Sequence, residues 1–261
     1  MLGAIAGDII GSIYEFDEDK PDYNFQLFTD KSHFTDDTVL TVALAESILN
    51  NISYKELLYE YYHRYPYASY GGMFHKWARI KNSPPYNSYG NGSAMRVSPV
   101  GWAYNDFETV LTKSKESAEV THNHPEGIKG AQATASAIFL ARTGKKKNEI
   151  KKYIEDKFNY YLDFDLEELR MNYKFNETCQ QPVLQAIYTF LMSESFEDSI
   201  RKAIYIGGDS DTVACINGSI AEAYYGVPQN IIDEIIKRLD KDLLAIVNEF
   251  RERFVFSSLR S

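Results

Sequence analysis

The chain has 261 residues, 44% of them hydrophobic and 25% charged, and a formal net charge of −9 at pH 7. This composition is typical of a globular protein, and the acidic balance argues against nucleic acid or an anionic membrane surface as a partner. The two cysteines, Cys179 and Cys215, stand without a CxxC spacing, so we expect no disulfide framework and a reducing, cytoplasmic location.

The N-terminal stretch MLGAIAGDIIGSIYEF is apolar but short. It lacks a basic region at its start and contains Asp8 and Glu15, so we expect neither a signal peptide nor a membrane span. Asp8 and Glu15 are about two helical turns apart and are expected to be able to share one face of a helix. For Asp8 we favour an internal hydrogen-bonding role.

Helical periodicity dominates the remainder of the chain, and runs of alternating polar and apolar residues are scarce. The periodic segments are 35–51, 53–65, 124–144, 180–193, 195–208, 211–226 and 230–254. Ser53 and Glu56 have the spacing of a capping box at the start of the second segment. We therefore predict an all-α, single compact multi-helix domain over residues 1–261, with roughly ten helices and a variable charged segment at about 144–175.

Two short segments place more polar groups at a helix start than a cap requires. FTDDT covers 34–38 and GGDSDT covers 207–212. One such segment alone is explained by N-capping and by the helix dipole. Two segments together supply four carboxylates and two hydroxyls, and crowded carboxylates repel one another unless a cation neutralises them. An all-oxygen set suits Mg²⁺, Mn²⁺ or Ca²⁺ rather than zinc, and the number of ligands suits two ions.

Other interpretations of these aspartates fit less well. An EF-hand loop would need Asp or Asn and then Gly where Val213 and Ala214 stand. The Asp-x-Asp-x-Thr loop of a haloacid-dehalogenase-type phosphatase would place its threonine one residue after Thr212, and the surrounding chain lacks alternating strands and helices. The DDxxD spacing of a terpene synthase is absent after Asp36 and Asp37.

Two further segments carry polar groups suited to binding. YGNGSAMRVSPVG, at 89–101, has the glycines of a backbone nest at a helix start, which can hold a phosphate. Arg96 supplies a cation near such an anion, although a structural ion pair is an equal alternative. THNHP, at 121–125, has two histidines, for which we favour substrate contact, capping or packing over zinc binding.

Taken together and in this order, GAIAGDIIGSIYEF, FTDDT, YGNGSAMRVSPVG, THNHPEGIKGA and IGGDSDTVACINGSIAEAYYG resemble the ADP-ribosylglycohydrolase family. That family includes the dinitrogenase-reductase-activating glycohydrolases. The resemblance implies an all-α fold with two divalent cations, Mg²⁺ or Mn²⁺, in a cleft. The residues that it matches to the metal centre are Thr35, Asp36, Asp37, Asp209, Asp211 and Thr212. Those that it matches to substrate binding are Glu15, Gly90, Asn91, Gly92, Ser93, Met95, Arg96 and His122.

The activity that the resemblance implies is hydrolysis of the glycosidic bond between ADP-ribose and a protein side chain or a small acceptor. The reaction needs a nucleophilic water, whose general base would be Glu15 or a metal-bound aspartate such as Asp37 or Asp211. An acidic loop, EFDEDKPDYNFQLF, follows the first helix, and it favours a cationic, arginine-linked substrate. Two alternatives remain, a hydrolase of a small metabolite such as O-acetyl-ADP-ribose and a non-catalytic ADP-ribose-binding protein.

Overall fold

The computed structural model describes residues 1–15 and 20–256. Within these residues the secondary structure is helical, with one isolated antiparallel bridge between Gly90 and Thr178. The helices are α1 (Leu2–Gly11), α2 (Asp36–Asn50), α3 (Tyr54–Arg64), α4 (Gly72–Ala78), α5 (Gly92–Met95), α6 (Ser98–Ala103), α7 (Phe107–Glu119), α8 (Pro125–Arg142), α9 (Lys147–Phe158), α10 (Leu166–Asn172), α11 (Pro182–Leu191), α12 (Phe196–Tyr205), α13 (Ser210–Tyr225), α14 (Gln229–Arg238) and α15 (Lys241–Phe250). A π-helical turn over Arg251–Val255 continues α15. The prediction of an all-α fold is confirmed.

Helices α1 and α13 pack against each other at the centre of the molecule. Every residue of α1 is buried, and the facing surfaces are rich in small residues, which lets the two backbones come close. A Cβ atom on Gly7 would lie 1.9 Å from the carbonyl oxygen of Ala214, so only glycine fits at that crossing. Helices α8, α11 and α12 surround α13 on its other sides, which makes it the axis of the core.

A second group of helices is built around α2, which packs against α3, α6 and α15. Its N-cap, Thr35, has extended backbone and accepts a hydrogen bond from the Asp37 amide, and Ser53 caps α3 in the same way by accepting from the Glu56 amide. The N-terminal ends of α2 and α13 lie close together at one end of this helical framework. Their proximity creates the cleft described below.

The observed helices differ from the prediction in three places. Short helices such as α4, α5 and α6 have too few turns to give a periodic signal, so the described residues contain more helices than expected. The apolar run 230–254 is two helices, because Asp240 caps a new helix with bonds from the amides of Asp242 and Leu243. Helix α1 ends at Gly11, so Glu15 lies in the following turn rather than on the helix face with Asp8.

The charged segment after Gly144 is also more ordered and more buried than its composition indicates. Ile150, Ile154 and Phe158 form an apolar stripe along α9 that joins the main core. No helix among the described residues is long and apolar enough to cross a bilayer.

Candidate active site

The two Asp/Thr segments meet across the cleft. The hydroxyl of Thr212 donates to Oδ1 of Asp37 at 3.3 Å, and the hydroxyl of Thr35 lies 3.5 Å from Oδ2 of Asp211. These contacts join residues about 175 positions apart in the sequence. Gly207 and Gly208, which precede Asp209, both have positive φ values of 74° and 84°, and this backbone turns Asp209 toward the cleft.

A third segment adds a carboxylate to this pair. Glu15, Asp209 and Asp211 each offer one oxygen, and these three oxygens lie within 4.8 Å of one another. Asp36 and Asp37 line the same cleft, and Oδ2 of Asp37 is buried without a hydrogen-bond partner. The cluster therefore brings together five carboxylates whose oxygens are incompletely satisfied by the protein.

The pKa values of the clustered carboxylates show that their ionised forms are unfavourable in this arrangement. Burial, followed by repulsion from Asp211, raises the pKa values of both Asp36 and Asp37 well above their ordinary range. Burial also raises the pKa of Asp211 strongly and that of Asp209 to about 7, and it raises the pKa of Glu15 to about 8. Because the ionised forms are disfavoured, these groups need either protons or cations to remain together.

A divalent cation fits these residues. One oxygen each of Glu15, Asp209 and Asp211 lies within 4.8 Å of the others, a spacing at which ionised carboxylates repel unless a cation lies between them. The donors available are carboxylate and hydroxyl oxygens, the ligands that Mg²⁺ and Mn²⁺ prefer. The unpartnered Asp37 Oδ2 supplies a further ligand atom. The chain thus has a cluster of acidic residues that could hold a metal.

Asp8 lies behind the cluster and fixes the start of α2. Its carboxylate accepts from the amide and hydroxyl of Thr35 at 2.9 and 2.7 Å, and from the amide of Thr38 at 3.0 Å. The hydroxyl of Thr38 donates to it as well. Asp8 therefore has the internal hydrogen-bonding role that we favoured from the sequence.

The glycine loop at 90–92 forms the wall next to Asp209. The side-chain amide of Asn91 donates to Oδ2 of Asp209 at 2.6 Å, and its backbone amide donates to the carbonyl of Glu177 at 2.8 Å. Gly90, Gly92, Met95, Arg96 and His122 also line the cleft. Ser93 is not among the residues that line the cleft, and its buried hydroxyl donates to the carbonyl of Gly127 at 2.7 Å, so its expected role in substrate binding stays a prediction.

The sequence did not predict several residues that line the cleft. Tyr70, Phe74 and Lys76 come from the segment around α4, Tyr86 comes from the loop before the bridge, and Phe175 and Glu177 come from the segment paired with Gly90. The SYGGMF sequence at 69–74, with two glycines before a helix, is the signal that could have identified the segment around α4. The acidic residues Asp17, Glu18 and Asp19, on which the expected acidic rim partly depends, lie outside the described residues.

The cleft has a volume of about 550 Å³, which is adequate for a dinucleotide-sized ligand. Carboxylates dominate the wall formed by α2 and α13, while Arg96 and His122 lie on the wall formed by the glycine loop. The fold and the cleft thus define an all-helical protein with a carboxylate-rich site suited to divalent cations and, opposite it, a donor-rich surface.

Comparison with known proteins identifies the family. The ADP-ribosylglycohydrolase family model matches residues 1–257, and the chain belongs to that family. By this membership it is a glycosidic-bond hydrolase.

The similar proteins include vertebrate and bacterial enzymes. The chain is 27% identical to the mouse and human proteins named ADP-ribosylhydrolase ARH3, over 88% of this chain and 83% and 85% of theirs. It is 24% identical to a Pseudomonas putida protein named ADP-ribosylarginine hydrolase Tri1, over 87% of this chain and 70% of that protein. A solved structure titled ADP-ribosylglycohydrolase-related protein complex has the same fold, with a TM-score of 0.71, 21% identity, and 97% and 96% of the two chains covered.

Proposed function

We propose that this protein hydrolyses the glycosidic bond between ADP-ribose and a protein side chain, using two divalent cations, Mg²⁺ or Mn²⁺. The observation that carries the proposal is the meeting of FTDDT, GGDSDT and Glu15 in one cleft next to the glycine loop. The names of the similar vertebrate and bacterial proteins support ADP-ribosylated substrates.

The metal ligands that we propose are Thr35, Asp36, Asp37, Asp209, Asp211 and Thr212. When bound, the cations would orient the ribose hydroxyls and lower the pKa of a coordinated water. The side-chain amide of Asn91 donates a hydrogen bond to Asp209, and this bond connects the glycine loop to the proposed metal ligands. The loop residues Gly90, Asn91 and Gly92, with Met95, Arg96 and His122, would bind the ADP-ribose.

Glu15 is the group best suited to be the general base. It is partly exposed to the cleft, whereas Asp37 and Asp211 are buried and would be committed to the cations. A base must lie within hydrogen-bonding reach of the attacking water, and the Glu15 carboxylate shares a cluster with Asp209 and Asp211. Asp37 and Asp211 are the alternative bases if Glu15 serves only as a ligand.

We propose an arginine-linked substrate, because an additional carboxylate lies at the open side of the site. Glu177 is exposed, lines the cleft, and carries a side chain with no hydrogen bond or ion pair to any other described residue. Repulsion from the Glu177 carboxylate contributes to the raised pKa values of Glu15 and Asp209. The guanidinium of a modified arginine would be matched by this carboxylate, whereas the glycosidic oxygen of a modified serine carries no positive charge to pair with it.

The test compares two peptides of one sequence, ADP-ribosylated on arginine or on serine, with release of ADP-ribose measured by mass spectrometry in Mg²⁺, Mn²⁺ or EDTA. We expect metal-dependent release that favours the arginine peptide, and we expect Glu177→Gln to reduce that preference by about tenfold, the value of one charge-assisted hydrogen bond. Asp156→Asn, an exposed change on α9, is the control. Preference for the serine peptide would refute the linkage, and release that survives EDTA would refute the metal mechanism.

The same assay separates the two alternatives. Turnover of O-acetyl-ADP-ribose without release from either peptide would identify a metabolite hydrolase. Tight binding of ADP-ribose without turnover of any of the three compounds would identify a non-catalytic binding protein.

A further inference from the structure

A buried chain of three polar side chains leads away from the cleft on the wall opposite the carboxylates. Nη2 of Arg96 donates to the hydroxyl of Thr121 at 2.8 Å and to the carbonyl of Ser117 at 3.1 Å. The Thr121 hydroxyl lies 2.7 Å from Nδ1 of His122. Arg96 and Thr121 are fully buried, while His122 is at the cleft surface.

The protons in this chain can be assigned from the chemistry of the groups. A guanidinium only donates, so the Thr121 oxygen must accept from Arg96. The second lone pair of that oxygen leaves two arrangements: the threonine proton is donated to Nδ1 of His122, or an Nδ1–H is donated to the threonine. A hydroxyl that accepts from a guanidinium is polarised into a stronger donor and a weaker acceptor, so the order Arg96 to Thr121 to Nδ1 is favoured. A neutral His122 with Nδ1 as acceptor carries its own proton on Nε2.

His122 is held in the neutral form. Burial and, after it, the charge of Arg96 lower the pKa of His122 well below its ordinary value. The Tyr86 ring lies against the imidazole, with ring centroids 5.8 Å apart. Arg96 is therefore the charged group that acts on this histidine, and it opposes a second proton.

The protonated nitrogen faces the glycine loop. A Cβ atom on Gly92 would lie 3.0 Å from Nε2 of His122, and one on Gly90 would lie 3.6 Å from it. The loop thus has room for the imidazole only because Gly92 has no side chain. The N–H of His122 is presented at the place where the loop opens to the cleft.

Among the described residues no carboxylate contacts Arg96 directly, and Asp36 acts on its charge only from a distance. Arg96 forms no ion pair with any described residue, and its Nε and Nη1 atoms are buried without hydrogen-bond partners. An isolated buried cation is unfavourable unless an anion approaches it. A ligand with phosphate groups at the glycine loop would supply that negative charge.

We infer that Thr121 is a positioning residue that, with Arg96, fixes His122 as a neutral Nε2–H donor to an anionic oxygen of the bound ADP-ribose. This inference rests on the proposed function for the identity of the ligand. The proton assignment itself does not depend on catalysis. Thr121 acts through His122 and does not touch the substrate.

The first test is the tautomer of His122 in the wild-type protein with Mg²⁺, measured by long-range ¹H–¹⁵N correlation on histidine-labelled protein and assigned with His122→Gln. We expect a protonated Nε2, an unprotonated Nδ1, and no titration of this ring between about pH 5.5 and 8, because the ordinary histidine pKa is about 6.5. Protonation at Nδ1, or a ring that titrates near pH 6.5, would overturn the inference.

The second test is the affinity for ADP-ribose, measured by calorimetry. Thr121→Val should weaken binding about tenfold and mix the two tautomers, because the hydrogen bond that selects Nε2–H is lost. Thr121→Ser should restore the wild-type affinity for ADP-ribose and the single Nε2–H tautomer. Thr134→Val is the matched control, since the Thr134 hydroxyl is also buried but has no hydrogen-bond partner.

The outcomes separate this inference from the proposed function. Unchanged affinity in Thr121→Val, with a mixed tautomer, would refute the donor role while leaving hydrolysis intact. Absence of hydrolysis on every substrate, with the Nε2–H tautomer and ADP-ribose binding as expected, would refute the proposed function and support the inference. If Thr121→Val does not fold, the wild-type tautomer and the Thr121→Ser affinity decide.

Discussion

Acidic residues stand at helix starts in two regions of this molecule, at exposed N-termini and in the cleft. At the exposed N-termini the carboxylate accepts hydrogen bonds from the first turn, as Asp106 does from the hydroxyl of Thr109 at 2.7 Å and from its amide at 2.8 Å, and these two bonds lower the pKa of Asp106. In the cleft Asp209 occupies the N-cap position of α13 but forms no capping hydrogen bond, and burial raises its pKa to about 7. The same residue type is therefore stabilised as an anion in one region and destabilised as an anion in the other.

The difference shows how a cap can be distinguished from a binding group. A capping carboxylate accepts hydrogen bonds from the free amides of the first helical turn, and these bonds stabilise its negative charge without a cation. The cleft carboxylates face one another and leave Asp37 Oδ2 unpartnered, so their charge needs a ligand. Four changes test this contrast.

The largest effect is expected for Asp211→Asn. Removing one carboxylate from the centre of the cluster should lower the rate of ADP-ribose release by about a thousandfold, the scale of metal-assisted charge stabilisation, and should weaken Mn²⁺ binding. Asp240→Asn is the control, because asparagine caps a helix as well as aspartate does. Equal activity of the two variants in a steady-state assay would remove the distinction between the cleft and the capping aspartates.

A smaller effect is expected for Asp8→Asn, which changes the support of the cleft. The amide group would face the Thr35 and Thr38 donors that now bind the carboxylate, so the free energy of unfolding should fall by about 3 kcal/mol. Thr38→Ser keeps the hydroxyl donor and should have little effect. Chemical denaturation of both variants in EDTA measures the difference, and a stability loss below that of Thr38→Ser would contradict the supporting role.

The pH dependence of stability should change sign with metal. Burial, the largest cause, raises the pKa of Asp209 to about 7 and of Glu15 to about 8, above the values near 4 expected for the unfolded chain. The folded state therefore binds more protons, and in EDTA the contribution of these groups is greatest near pH 4 and is lost as the pH rises through about 8.

Saturating Mn²⁺ needs the deprotonated groups, so the stabilisation that it adds should instead grow with pH. At a hundredfold excess over Kd it amounts to about 2.7 kcal/mol. Thermal melts between pH 5.5 and 8.5, with Mn²⁺ and with EDTA, measure the effect. A difference in Tm between the Mn²⁺ and EDTA samples that stays constant with pH would show that these carboxylates do not hold the ion.

The smallest effect is expected for Asp240→Ala. The change removes two hydrogen bonds of 2.9 Å to the amides of Asp242 and Leu243, so stability should fall by about 1 kcal/mol. Hydrolysis and Mn²⁺ affinity should be unchanged, since α15 lies away from the cleft. A loss of activity without a loss of stability would show that the capping and binding groups are not separate.

Much of the site could be predicted because its residues carry local signals. Thr35, Asp36 and Asp37 exceed the needs of a helix cap, and so do Asp209, Asp211 and Thr212, so repetition of the pattern indicated a shared cation. Glu177 and Tyr86 gave no such signal, because an exposed glutamate and a loop tyrosine are common anywhere. The family resemblance matched Ser93 to substrate binding, and only the structure shows that its hydroxyl, in the first turn of α5, donates to Gly127.

The sequence by itself determined the helical class, most of the long helices and the acidic character of the two helix starts, because these depend on periodicity and on side-chain type. Tertiary packing decided which groups meet. The close crossing of α1 and α13, made possible by Gly7, brings Asp8 behind the cluster and the two helix starts together. It also decided that Arg96 is a buried cation in the cleft wall, hydrogen-bonded to Thr121, because burial and hydrogen-bond partners arise only when separate segments pack.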